Sequence, residues 1–366
     1  MVARRFLIVA ICLAALPVAG AAPEKPGSSA AEFAALYKPW KQRVARLYQI
    51  DVIRRTDPAA DKKALETEYG QLIERVEQDL PAINEAAEKA YLEAPNKDKE
   101  LSSFLMGNLM GYMRGDEFEN AARVAGILTD NNLPAKELNM LAGISFFAVN
   151  DYDNAEKFLK LARDNHVTNA TATKCLDQID HYREMWAEEQ AYREAEDKAH
   201  NLPKVRLTTT KGTIVVELFE NEAPIATANF ISLVEKKFYD GTPFHRVISS
   251  FMAQAGASPE GGGPGYTIPC ECYNEKHRNH FRGSLSMAHT GQRDSGGSQF
   301  FLMLMPASHL DGKHTVFGRI VEGLDVLAKL KRIQPGEPGT PDKIVKATVI
   351  YKRPHAYKPV TRPEKK

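Results

Sequence analysis

Tyr239-Asp-Gly-Thr-Pro-Phe244-His245-Arg246-Val-Ile-Ser-Ser-Phe251-Met252-Ala-Gln254-Ala-Gly256 is the stretch on which the fold turns. It places one arginine and one glutamine among aromatic and apolar residues, between glycine turns. Upstream, the runs Val205-Arg-Leu207 and Ile214-Val-Val-Glu-Leu218 flank Lys211-Gly212, which reads as a hairpin turn between β-branched strands. An amphipathic helix is expected from Pro224 to Lys237, with proline in the first turn and Ile225, Phe230, Leu233 and Val234 apolar. A second short helix, Leu324 to Leu330, precedes a last strand, Ile344 to Lys352. Many short strands, glycine-rich turns and few helices argue for a closed β-barrel with helical lids. The usual tools of covalent catalysis are missing from this half: it has no Gly-x-Ser-x-Gly elbow and no His-Glu-x-x-His. Gly261-Gly-Gly263-Pro-Gly265 is followed by Tyr-Thr-Ile rather than a helix start, so it reads as a surface turn instead of a phosphate cradle.

Three more motifs follow in order: Gly283-Ser-Leu-Ser-Met287-Ala288-His289, Gly297-Ser-Gln299-Phe300-Phe301, and His309-Leu310-Asp-Gly-Lys-His314-Thr-Val-Phe317-Gly318. With the opening stretch they resemble the cyclophilins, the cyclosporin-binding class of peptidyl-prolyl cis-trans isomerases, from about Val205 to Lys352. The resemblance implies a closed antiparallel eight-stranded β-barrel with two capping helices, and no cofactor. It places the catalytic arginine on Arg246 and the proline pocket on Phe251, Met252, Gln254, Phe301, Leu310 and His314. Ala288, His289 and Gln299 fall on the adjoining groove. Taken singly, Phe251, Met252, Phe301 and Leu310 read as barrel core, and Arg246 as a surface charge; the four ordered motifs make them a site.

The chemistry is coherent in itself. Amide resonance imposes a barrier of about 18–20 kcal/mol on X-Pro rotation. A guanidinium near the prolyl nitrogen stabilises the lone pair that appears only when the amide twists. Two departures from the family pattern stand out. His309 occupies the place where cyclosporin-sensitive eukaryotic members carry Trp, so weak cyclosporin binding is expected, and His289 replaces a common Asn. The loop Ala257 to Gly263 looks shortened, leaving open which glycine of 261–265 lines the specificity pocket.

From Glu32 to about His200 the chain is rich in Ala, Leu, Glu, Lys and Gln, with prolines as punctuation at Asp57-Pro58, Leu80-Pro81 and Ala94-Pro95. An all-α domain is expected over 32–200, the barrel over 203–353 and a basic, proline-containing solvated tail over 354–366. Asp116-Glu-Phe118-Glu-Asn120-Ala121 superimposes on Asn150-Asp-Tyr152-Asp-Asn154-Ala155 at an offset of 34 residues. An aromatic before a small alanine at that period resembles the tetratricopeptide repeat, with Gly143 and Ala162 on other small positions and Leu109 departing from the pattern. A generic helical bundle is the alternative. Residues 183–200 are dominated by charge, with Trp186 and Tyr192 as exceptions, and read as a solvated connector.

Arg4 and Arg5, the apolar run Phe6 to Leu16 and small residues to Ala22 have the layout of a signal peptide over 1–22, followed by a flexible leader over 23–31. The expected mature protein is exported, periplasmic or secreted, without a membrane span after signal cleavage; an uncleaved signal anchor is the alternative. Its formal net charge of +1, from 48 Lys plus Arg against 47 Asp plus Glu, gives no bulk attraction for nucleic acid. Cys270, Cys272, His277 and His280 are four ligand types within eleven residues, but i, i+2 cysteines are unusual for structural zinc and no metal is expected. The expected activity is isomerisation of X-Pro bonds in exported, proline-containing polypeptides, with the helical domain binding clients or a partner protein. The alternative is a repeat scaffold whose barrel holds proline segments with little turnover.

Overall fold

The computed structural model describes residues 28–258 and 262–363. The expected signal peptide lies outside the described residues. The chain forms two compact units, the first from the described part of Met1–Arg114 with Phe118–Ser145 and Lys157–Thr173. The second takes Gly115–Glu117, Phe146–Glu156 and the described part of Lys174–Lys366.

The first unit begins with two long helices, α1 (Ser29–Thr56) and α2 (Lys62–Glu93). Ser28 caps α1 by accepting from Ala31 N, and Asp61 caps α2 by accepting from Lys63 N and Ala64 N. The helical stripe Phe33, Tyr37, Trp40, Val44, Leu47 and Ile50 on α1 is buried, as are Ile73, Val76, Ile83 and Tyr91 on α2. Trp40 Nε1 donates to Val76 O at 3.0 Å. Asp57-Pro58 and Ala94-Pro95 lie where these helices end, whereas α2 runs on through Pro81.

Two helical hairpins follow: α3 (Lys99–Arg114) with α4 (Phe118–Asp130), and α5 (Leu138–Ala148) with α6 (Tyr152–Asp164). The 34-residue offset reappears as backbone geometry. Asp116 and Asn150 both take left-handed φ between the helices of a hairpin, at +60° and +65°, and Asn132 and His166 do so after the second helix, at +51° and +57°. The bonds Leu133 N to Leu128 O and Val167 N to Ala162 O close the same C-terminal motif in each. Gly143 is required because a Cβ there would lie 2.6 Å from Leu159 Cγ. After α7 (Ala170–Asp177) comes α8 (Ile179–Ala199).

Within the second unit α8 is not a solvated connector. Tyr182, Trp186, Glu189 and Glu196 recur at helical spacing, and Glu189 and Glu196 are 5% and 8% exposed. Arg278, itself 2% exposed, donates to both oxygens of Glu189 at 2.7 and 2.9 Å and to Glu196 at 2.5 Å. Its guanidinium lies 3.8 Å from the Phe219 ring centroid. Trp186 meets Phe281 edge-on, and the Tyr182 hydroxyl accepts from Ser308 N. The charge pattern looked like an exposed face because its buried counter-ion lies far along the chain.

Eight antiparallel strands form one sheet: β1 (Lys204–Thr209), β2 (Gly212–Leu218), β3 (Arg246–Ile248), β4 (Met252–Ala255), β6 (Ser284–Met287), β7 (Phe300–Met303), β8 (Val316–Glu322) and β9 (Ile344–Tyr351). Their order is β3-β4-β7-β6-β8-β2-β1-β9. The β1–β2 hairpin forms as read, but its turn is Thr210-Lys211, one residue before the expected Lys211-Gly212, because Gly212 already pairs with Thr209 as the first residue of β2. The expectation of a closed barrel is corrected: among the described residues no ladder joins β3 to β9, and the isolated bridges Pro243 to Lys343 and Val247 to Ile333 stand in its place. β3 is three residues long, and Val247 at its centre exchanges both its backbone bonds with Ile333, a residue ahead of β9. Helices α9 (Pro224–Glu235) and α10 (Leu324–Lys329) pack on the sheet, and its core includes Phe230 among Tyr239, Phe300 and Phe317, with ring centroids 5.0–5.4 Å away. Burying each such ring contributes roughly 2–3 kcal/mol.

The tail also departs from expectation. His355 Nε2 and the Tyr357 hydroxyl both meet Glu220, Arg353 donates to Asn201 and Asn221, and β10 (Arg362–Pro363) pairs with β5 (Tyr266–Thr267).

Candidate functional site

Cross-strand register builds the site. Arg246 on β3 sits opposite Gln254 on β4, Gln254 opposite Phe301 on β7, and Phe301 opposite Ser286 on β6. The next row runs Ile248, Met252 and Met303. Directly opposed residues share a face, and successive residues alternate between faces. The sheet therefore has two distinct apolar sides here. Val247, Ala253, Leu302 and Leu285 join the core under the helices, whereas Met252, Phe301 and Met303 form a separate cluster with Ala288 and Ala307. Ile248, Phe251 and Leu310 pack against that second cluster only partly buried. Phe251, Met252, Phe301 and Leu310 thus stand apart from the barrel core, on the opposite face.

The half-buried Arg246 and Gln254 border this apolar patch, and Gln254 Nε2 donates to Gln299 Oε1 at 2.9 Å. Gln299 O accepts from Ala288 N at 2.9 Å, which joins two of the expected groove residues. Gly256 ends β4 with φ +92°, and a Cβ there would lie 2.4 Å from Ser298 O, so only glycine lets the two segments meet.

Three histidines surround the patch. His309, on the 3₁₀ turn Ser308–Leu310, stacks on Phe251 with centroids 5.7 Å apart. His289 and His314 lie face to face at 3.9 Å. The His289 Nε2–H donates to Lys313 O while Nδ1 accepts from Gly291 N, so its partners fix the tautomer. His314 meets Phe301 edge-on and donates from Nδ1 to Met287 O at 3.0 Å. Burial, helped by neighbouring His289, His280 and Lys313, lowers His314 to about 4 against the opposing effect of the Met287 carbonyl. It is neutral at pH 7 and offers the patch no charge.

Several residues behind the site were missed by sequence reasoning. His280, fully buried, lies parallel to Phe301 at 5.8 Å and is held between Asp311 Oδ1, 2.6 Å from Nδ1, and Ser286 Oγ, 2.9 Å from Nε2. Asp311 also accepts from His280 N, so the turn bearing His309 and Leu310 is tied to the floor under Phe301. Asp116, fully buried in the segment Gly115–Glu117 of the same unit, accepts from Ser249 Oγ, Ser250 N and Ser250 Oγ at 2.9–3.1 Å, and from Arg332. Ser249 and Ser250 form the turn that delivers Phe251. No local pattern announces Asp116, whereas Ile248 and Met303 could have been found by alternation from Arg246 and Phe301. Of the four residues weighed as zinc ligands, His280 is engaged as above and His277 Nδ1 contacts Asn274 O; no group of three or more His, Cys, Asp or Glu converges among the described residues.

Residues 204–349 match the sequence model of the cyclophilin type peptidyl-prolyl cis-trans isomerase family. A peptidyl-prolyl cis-trans isomerase of Helicobacter pylori is 53% identical over 131 residues, 34% of this chain and 78% of that one. Peptidyl-prolyl cis-trans isomerase B of Bacillus subtilis is 51% identical over 115 residues, 31% of this chain and 78% of that one. A solved cyclophilin from Hirschia baltica is 31% identical, covering 40% of this chain and 73% of that one with a TM-score of 0.37. The chain belongs to the cyclophilin-type peptidyl-prolyl cis-trans isomerases.

Proposed function

We propose that the chain isomerises X-Pro bonds in exported protein clients, and that Arg246 is the catalytic residue. The observation that carries this reading is the row Arg246, Gln254 and Phe301 beside an apolar patch that is separate from the fold's own core. Phe251, Met252, Phe301 and Leu310, with His314 neutral at their edge, receive the pyrrolidine ring. Its three methylenes bring roughly 2 kcal/mol of apolar burial, felt equally by ground and transition states. Rate enhancement needs a contact that exists only in the twisted amide. The Arg246 guanidinium donates to the prolyl nitrogen as it becomes pyramidal, and Gln254, fixed by Gln299, holds the neighbouring carbonyl. A thousandfold acceleration requires about 4 kcal/mol, within reach of one charged, pre-placed donor. No bond is made or broken, and no nucleophile is used.

Ala288, His289 and Gln299 line the groove in which the rest of the peptide extends. The 34-residue helical hairpins support a tetratricopeptide-like role in holding clients or a partner protein. The amino-terminal leader supports export to a periplasmic or secreted location. His309 in place of Trp supports weak cyclosporin binding. The test is a proline-peptide isomerisation assay on the mature chain and Arg246→Ala: kcat/KM is expected to fall about 100–1000-fold. An unchanged rate refutes the assigned mechanism, and peptide binding without turnover in the wild type returns the barrel to a scaffold.

A further inference from the structure

We propose that Cys270 and Cys272 are a redox pair, interconverting between two thiols and one disulfide inside Cys270-Glu271-Cys272. Their sulfurs lie 2.6 Å apart, so bond formation asks almost no movement of the chain. The surrounding backbone is clamped in that geometry. Cys270 N donates to Asp294 Oδ1 at 2.7 Å, and Glu271 N donates to Thr315 Oγ1 at 2.9 Å. The Glu271 carboxylate accepts from Ile225 N and Ala226 N in the first turn of α9, at 2.9 and 2.8 Å. With both sides of Glu271 pinned, the two thiols are presented to each other by the fold itself. Thr315 Oγ1 lies 3.3 Å from Cys270 Sγ, and the Tyr273 side chain hydrogen-bonds Cys272.

The two sulfurs are unequal, which gives the reaction an order. Cys270 is half-buried, whereas Cys272 is 2% exposed. A small external disulfide, RSSR, therefore meets Cys270 first. The Cys270 thiolate attacks one sulfur of RSSR, forming Cys270–S–SR and releasing one RS⁻, which takes up a proton. Burial pushes the Cys272 thiol up to about 12, and the hydrogen bond and charge of Cys270 add to the rise. Capping Cys270 removes the last two contributions, so Cys272 becomes easier to ionise once the mixed disulfide exists. Cys272 then loses its proton to solvent and attacks Cys270 Sγ, closing the intrachain disulfide and releasing the second RS⁻. Two protein thiols are oxidised and one external disulfide is reduced to two thiols; two external thiols reverse it.

Cys175, buried at 3% exposure, is not part of the pair and serves as the internal reference. The test equilibrates the full chain in buffers of reduced and oxidised glutathione, quenches with acid, alkylates the remaining thiols in denaturant, and maps the peptide that contains both cysteines. The expected result is a single transition in which this peptide loses two thiols and two hydrogens in mass, while Cys175 stays alkylatable. Cys272→Ser is expected to stop at a glutathione adduct on Cys270, and Cys270→Ser to resist modification in the folded protein. A peptide that keeps both thiols across the whole range of buffers overturns the proposal. So does a wild type that accumulates the glutathione adduct as Cys272→Ser does. Far-ultraviolet circular dichroism on each variant establishes that the folded protein is being compared.

Discussion

Asp116→Ala tests whether the turn before Phe251 is held from outside the barrel sequence. The substitution removes four side-chain hydrogen bonds at once: two from Ser250, one from Ser249 and a charge-assisted one from Arg332. Asp116 is fully buried, so water does not replace it without opening the turn. Removing this buried acceptor strands the Ser250 amide and takes the counter-ion from Arg332, which is partly exposed and keeps its bonds to Gly115 O, Ala328 O and Leu330 O, at a cost of about 2–4 kcal/mol. Asp116→Asn keeps the shape and the acceptor for the serines but loses the ion pair, and should cost roughly 1–3 kcal/mol. The kinetic consequence is specific. Arg246 stays in its ladder opposite Gln254, whereas Phe251 and Met252 follow directly from the loosened turn. KM for a proline peptide should therefore rise several-fold in Asp116→Ala while kcat changes little, with Asp116→Asn intermediate. Thermal unfolding of the full chain and the isomerisation assay measure the two effects. A stability change below about 0.5 kcal/mol together with an unchanged KM would refute the reasoning.

Three further outcomes are expected. Arg278→Ala leaves Glu189 and Glu196 buried without their main counter-ion and should lose about 3–5 kcal/mol, read as a fall in melting temperature of at least several degrees. Because His314 titrates near 4 when folded and from 6.5 when unfolded, its contribution to stability is complete above pH 6.5 and is lost as pH falls toward 4; kcat/KM should stay level from pH 8 to 6 and drop as a charge enters the patch near pH 4. A pH profile of the wild type and His314→Gln, which should lack the acidic step in kcat/KM, checks this. His309→Trp should tighten cyclosporin binding at least about tenfold, or about 1.4 kcal/mol, by titration, since a larger aromatic surface then faces Phe251.

The features that sequence reading recovered are local ones. The hairpin of β1 and β2, to within one residue at its turn, helix α9 starting at Pro224 and the last strand from Ile344 each follow from a few adjacent residues. The pocket residues were recognisable because four motifs arrive in a fixed order. What escaped depends on partners distant in the chain. Glu189 and Glu196 look like a solvated face until Arg278 is brought onto them, and Asp116 looks like an ordinary inter-helix turn residue until Ser249, Ser250 and Arg332 close around it. The tail, rich in Lys, Arg and Pro, offers no apolar pattern, and its order comes from Glu220, Asn221 and Asp294 accepting from it. The open edge escaped because β3 is only three residues long and Val247 spends its bonds on Ile333, ahead of β9, a pairing that no local pattern announces.

On β4 and β7, residues facing the patch and residues facing the core take turns along the chain: Met252, Gln254, Phe301 and Met303 on one side, Ala253, Ala255, Phe300 and Leu302 on the other. Substitutions and length changes should therefore have opposite fates in these strands. Every second position is open to exchanges that retune recognition without entering the core. A single inserted or deleted residue would instead carry Phe301 inward and Leu302 outward, exchanging the two sides in one step. A change of length is tolerated only outside the strands that carry the site, as beyond Gly256, where β4 has already ended.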